Sequence, residues 1–173
     1  MRLQLMLNGR LQDQRNLMAI HHLHTEIEIE ASAERVWAVL LDFASYPQWN
    51  PFIKSVVGSP ERGARLRIAV QPSGGKAMRF SPVVLAVEAG RELRWLGRLV
   101  LPGVFDGEHR FVIEPLSEGK VRFQQSERFR GLLVGLLRAS LDRDTKRGFE
   151  EMNRALKARA EQGVRVEAEA GQA

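Results

Sequence analysis

The sequence predicts an α+β domain: an up-and-down antiparallel sheet, two short helices after the first strand, and one long helix at the end. Three observations lead there. Residues 24–53 (HTEIEIEASAERVWAVLLDFASYPQWNPFI) pass from an alternating strand through a capped amphipathic segment into a turn punctuated by proline and tryptophan. Residues 52–129 then read as strand and turn almost without a break, and residues 131–162 place apolar side chains at helical spacing. No strand–helix–strand unit repeats, which argues against a parallel α/β sheet.

Each element has its own signal. Thr25, Ile27 and Ile29 alternate with Glu26, Glu28 and Glu30, the period of a strand with one buried and one wet face. Ser32 is placed to cap the helix that Val36, Trp37, Val39, Leu40 and Leu41 make amphipathic. Asp42 and Ser45 offer caps for a second helix, which Pro47 and Pro51 confine to a turn or two. Phe52–Gly58 and Ala64–Val70 are short strands. Lys76–Glu88 is a long strand that Pro82 must bend or bulge, because proline cannot donate to a ladder. Ala89-Gly90-Arg91 turns it into Leu93–Leu99, where Leu93, Trp95, Gly97 and Leu99 share a face. After Pro102-Gly103, Phe105, Gly107, His109, Phe111 and Ile113 face one way, and a turn at Pro115–Gly119 leads to Val121, Phe123, Gln125, Glu127 and Phe129. The final helix, from Gly131 to about Gly163, carries Leu133, Leu137, Leu141, Met152 and Leu156 as its stripe. That stripe weakens at Asp144, Thr145 and Gly148. Such a gap suits a helix lying over a hollow, or a glycine that allows close packing on the sheet.

The strand IEIEA, the helix opening S-A-E-R-V-W and the turn D-F-A-S-Y-P-Q-W-N-P-F-I resemble the start of the START/Bet v 1-like (SRPBCC) superfamily, of the polyketide cyclase/dehydrase and lipid transport kind. The likeness runs from about Thr25 to Ala160. It implies a helix-grip fold, in which a curved antiparallel sheet wraps around the long C-terminal helix and encloses a cavity. It names no single activity, because one scaffold serves binders, carriers, cyclases and chaperone regulators.

Size and composition set further bounds. The 173 residues suit one domain, expected over 21–163, with a disordered extension at 1–20 and a disordered tail at 164–173. Met18 is an alternative start to Met1. The absence of cysteine excludes disulfides and thiolate metal sites. No run reaches the roughly 18–20 apolar residues that span a bilayer, so no stable membrane insertion is expected. The leading segment lacks a secretory core and cleavage site, and the expected location is cytoplasmic. A net charge of +5 comes from basic residues spread along the chain, without the clustered aromatics of a nucleic-acid surface; a solvated basic face is expected and no nucleic acid. His21, His22 and His24 sit near the extension without a fourth ligand, so neither a metal nor another cofactor is expected.

The residues able to carry chemistry lie on the last two strands. Folding them about Ser117–Glu118 sets His109 opposite Glu127 and Phe111 opposite Gln125. If these point inward with Thr25, a histidine–carboxylate pair meets an otherwise apolar interior, as a hydrogen-bonding site for a ligand, as acid/base machinery, or as a structural pair. The expected ligand-binding set is Leu66, Ile68, Phe80, Trp95, His109, Phe111, Phe123, Gln125, Glu127, Leu141, Thr145, Gly148 and Met152. His109 and Glu127 are the catalytic candidates. The expected partner is a small hydrophobic or amphipathic ligand held by a monomer or homodimer. A cyclase or dehydratase acting on a polyketide- or isoprenoid-like substrate is the alternative, and a protein-interaction module using Arg122, Arg128 and Arg130 is a third.

Overall fold

The computed structural model describes residues 19–72, 74–99 and 101–170, with side chains described as far as residue 162. The expected N-terminal extension therefore lies outside the described residues as far as residue 18, as do Ser73 of the glycine turn and the last three residues of the expected tail.

Five strands form the main antiparallel sheet in the order β1–β8–β7–β6–β5: β1 (Ala19–Ile29), β5 (Val83–Glu88), β6 (Glu92–Leu99), β7 (Phe105–Ser117) and β8 (Lys120–Gly131). A second, three-stranded section holds β2 (Ile53–Val57), β3 (Arg67–Val70) and β4 (Met78–Phe80) in sequence order. The two meet where the Leu66 amide donates to the Pro82 carbonyl and the Val84 amide to the Ala64 carbonyl, each at 2.9 Å. Pro82 lies between β4 and β5, where the long strand read from sequence breaks in two. The sheet turns its corner at the residue that cannot continue a ladder.

The strand Ala19–Ile29 begins two residues before the expected domain start and includes His21, His22 and His24. Between β1 and β2 stand α1 (Ala33–Leu41), a single 3₁₀ turn (Phe43–Ser45) and α2 (Tyr46–Trp49). Ser32 caps α1 as expected, its Oγ accepting from the Arg35 amide at 3.2 Å. Asp42 and Ser45 make no side-chain caps. Ser45 Oγ donates to the Asp42 carbonyl instead and accepts from Trp49 Nε1, at 3.0 and 3.2 Å. The Pro–Trp turn is fixed from within by Tyr46, whose buried hydroxyl donates to Leu40 O at 2.7 Å, and by Asn50, whose Oδ1 accepts from the amides of Phe52 and Ile53. Burial pushes the Tyr46 hydroxyl far above its ordinary range, so it stays a donor.

The terminal helix is interrupted. α3 (Val134–Ser140) passes through a π-helical turn (Leu141–Thr145) into α4 (Lys146–Ala170), which runs beyond the expected end near Gly163. The π turn falls where the apolar stripe weakens. Leu137 and Leu141, on one side of the break, border a cavity, while Phe149, Met152 and Leu156 beyond it are fully buried core.

Candidate functional site: a cavity at a histidine–glutamate pair

Strand period and hairpin register put the pair in place. His109 stands directly opposite Glu127, and Phe111 opposite Gln125, as the turn arithmetic required. His109 is 5% exposed, and its Nδ1 lies 3.5 Å from Glu127 Oε2, long for a hydrogen bond. Its ring is walled by Phe111, Phe149 and Trp95 at centroid distances of 4.3, 4.8 and 5.4 Å. Nε2 is buried and finds no hydrogen-bond partner. Leaving such a group unpaired costs about 1–3 kcal/mol.

Beside this pair opens a cavity of about 510 Å³. Trp95, Gly97 and Leu99 of β6, Phe105, Gly107 and His109 of β7, and Glu127 and Phe129 of β8 form one wall. Ile68, Val70, Met78 and Phe80 form a second, with Phe52 and Ile53 beneath. Leu137 and Ser140 of α3 and Leu141, Arg143, Asp144 and Thr145 of the π turn close the third. The exposed residues of this lining, among them Lys76, Met78, Arg98, Leu99 and Arg143, mark the mouth. Thus the π turn lies over the hollow, at the place where the apolar stripe weakens. Its carboxylate Asp144 is held below the usual range by hydrogen bonds from Arg143 first and Ser140 second.

Seven of the thirteen residues expected to bind a ligand line this cavity: Ile68, Phe80, Trp95, His109, Glu127, Leu141 and Thr145. The other six stand outside it. Leu66 is buried beneath Gly58, and Phe111, Phe123 and Met152 are fully buried core. Gln125 donates to Asn153 Oδ1 at 2.9 Å, and Asn153 Nδ2 donates to Thr25 Oγ1 at 3.0 Å, a buried polar tie between β8, α4 and β1. Gly148 has the Phe52 ring where a Cβ would be, which decides for close packing over a hollow. For the strand residues Phe111, Phe123 and Gln125 the physical reason is shared. Alternation along a strand tells which face a residue takes, but not whether the helix packs tightly at that depth. α4 fills the middle of the grip, and the hollow is displaced toward α3.

Sequence reasoning missed Gly97, Gly107, Phe129 and Leu137 as lining residues, although their faces had been assigned. Asn153 was also missed. Its signal was a carboxamide inside the stripe formed by Phe149, Met152 and Leu156. On the outer face, Arg122 pairs with Glu28 and Glu114 at 3.8 and 3.4 Å, and Lys120 with Glu28 and Glu30 at 2.8 and 3.1 Å. Among the described residues no cluster of His, Asp and Glu could hold a metal ion, and no helix is long and apolar enough to cross a membrane.

The family model for polyketide cyclase/dehydrase and lipid transport proteins matches residues 21–161. The chain belongs to that family. It lies within the START/Bet v 1 superfamily, and solved structures agree on the fold. Zhui aromatase/cyclase from Streptomyces sp. R1128 superposes with a TM-score of 0.70 at 17% identity, covering 84% of this chain and 96% of that one. A START superfamily protein from Mycobacterium smegmatis gives 0.61 at 26% identity, over 82% and 98%. Norcoclaurine synthase from Thalictrum flavum, in complex with dopamine and hydroxybenzaldehyde, gives 0.66 at 14% identity, over 84% and 88%. No curated protein sequence matches the chain.

Proposed function

We propose that this protein reversibly binds a small hydrophobic or amphipathic molecule in the cavity between its sheet and its π turn, with the polar end of the guest at His109 and Glu127. One observation carries this reading: a mostly apolar hollow of about 510 Å³ that reaches an incompletely satisfied histidine–carboxylate pair. Apolar burial supplies affinity at about 25 cal/mol per Å². A guest that hides a few hundred Å² therefore gains roughly 5–8 kcal/mol before association costs. Ile68, Phe80, Trp95 and Leu141 supply the apolar contact, while Thr145 and the pair supply polarity.

A second reading has its own support. Glu127 beside His109 Nδ1 is the arrangement that orients an imidazole for proton transfer. Two fold relatives named above are an aromatase/cyclase and a synthase in complex with small aromatic molecules. Cyclisation or dehydration of a polyketide-like substrate is accordingly the alternative.

The His109→Ala and Glu127→Gln variants separate the two. Binding predicts that affinity for a hydrophobic ligand falls by roughly threefold to tenfold, the worth of one hydrogen bond. Catalysis predicts that turnover of a polyketide-like substrate falls by about 10²–10⁴ while the ligand still binds. Calorimetry and product analysis on the same variants read both. Unchanged affinity in both variants, with no turnover in the wild type, would remove the pair from either role.

A further inference from the structure

The end of the molecule that carries the cavity mouth also carries the most exposed large apolar side chains among the described residues. Leu136 is 81% exposed, Leu101 62%, Leu132 57% and Ile20 53%. They come from segments that the backbone ties together. The Leu132 amide donates to the Gly103 carbonyl and the Leu133 amide to the Val104 carbonyl, at 3.1 Å each. Gly131, at φ 144°, lets this loop approach so closely that a Cβ would strike the Val104 carbonyl. The start of β1 lies against α3, where Ala19 Cβ is 4.0 Å from the place a Cβ on Gly135 would take. Leu99 and Leu137 extend the apolar surface into the cavity that they line. Leucines left in water at one place do nothing for folding, and a patch of them marks a contact surface.

Charge indicates the partner. Arg98, Arg138 and Arg143 flank the patch and are 53%, 70% and 75% exposed. The carboxylates facing them, Asp106, Asp142 and Asp144, are only 18%, 50% and 25% exposed. In each pair the guanidinium is more exposed than the carboxylate it meets. Apolar side chains ringed by exposed cations match a bilayer surface, where leucine enters the acyl boundary and arginine meets phosphate. A second copy of the chain fits poorly, because a two-fold axis would bring like charges together.

We propose that this end of the protein docks on an anionic lipid bilayer, with Leu101, Leu132 and Leu136 in the interfacial layer and the cavity mouth turned toward the lipid. Docking stands on this surface alone. Exchange of a hydrophobic guest between bilayer and cavity rests in addition on the ligand-binding reading.

The test is cosedimentation of the full chain with phosphatidylcholine vesicles, with and without phosphatidylglycerol. Wild-type protein is expected to bind the anionic vesicles and to lose binding as salt rises. The Leu132→Glu/Leu136→Glu double variant is expected to bind at least about tenfold more weakly. Leu101→Glu, on a separate segment, is expected to weaken binding in the same direction. None of these side chains lines the cavity, so uptake of anilinonaphthalene sulfonate is expected to survive in all three proteins. That separates failure of docking from failure of the ligand site. Wild-type protein that ignores anionic vesicles overturns the proposal, as do variants that bind them equally well. A wild-type dimer that the double variant dissociates in solution also overturns it, by assigning the patch to a second copy.

Discussion

Gly107 shows how one missing methyl shapes the site. A Cβ there would lie 2.5 Å from Glu127 Oε1, so the bare backbone is what lets this carboxylate rest beside His109. Because the obstructed atom ends a flexible side chain, Gly107→Ala should displace the carboxylate at little cost to stability. Its ligand affinity should fall toward that of Glu127→Gln, read by calorimetry; unchanged affinity would mean that Glu127 takes no part in holding the guest. Glu92 is a different kind of carboxylate. It is 7% exposed, bound to Arg110 and, at 3.2 Å, to Arg94, and the Arg110 hydrogen bond leads in holding it below its ordinary value of 4.5. A depressed folded-state pKa adds stability above the unfolded value and forfeits it as pH falls through the folded one. Glu92→Gln should therefore cost about 1–3 kcal/mol at neutral pH and flatten the loss of stability below pH of about 4.5, as followed by denaturant melts.

At the scale of elements, the terminal helix holds both the core and the hollow. The Gly148 side of α4 rests on Phe52, which itself packs edge-on to Phe149 at 5.6 Å. Gly148→Ala gains about 1 kcal/mol of helix propensity but forces a methyl into an aromatic ring, which costs about 1–3 kcal/mol. The clash should win, lowering Tm by a few degrees in a thermal melt; a rise in Tm would show that Phe52 can give way. The elements themselves were legible in the sequence. Thr25 to Glu30 alternate, Ser32 caps, and the pairing of His109 with Glu127 follows from hairpin arithmetic, whereas Pro82, read as bending one long strand, divides two. The π turn was legible only as a weakened stripe, because the hydrogen-bond shift that makes it depends on what lies beneath. Depth was not legible at all. Phe111 and Trp95 alternate on faces that point the same way, yet one is core and the other borders the cavity. Only the path of α4 over the sheet makes that distinction, and it follows from Gly148, Asn153 and Phe149 acting together.

The whole molecule is a gripped helix with a hollow left at one end and exposed leucines and arginines around its mouth. Gly97 allows that hollow to be closed without touching the rest. A Cβ there meets nothing nearer than 3.9 Å, and its neighbours on the strand face, Trp95 and Leu99, line the cavity. Gly97→Leu should thus fold normally with its cavity partly filled. The most direct measurement is native mass spectrometry of wild-type and Gly97→Leu protein after exposure to a cellular lipid extract. Wild-type protein should retain a small hydrophobic molecule, one per chain, that the filled variant has lost. Equal retention by the two folded proteins, or none by either, would contradict a binding role for the cavity.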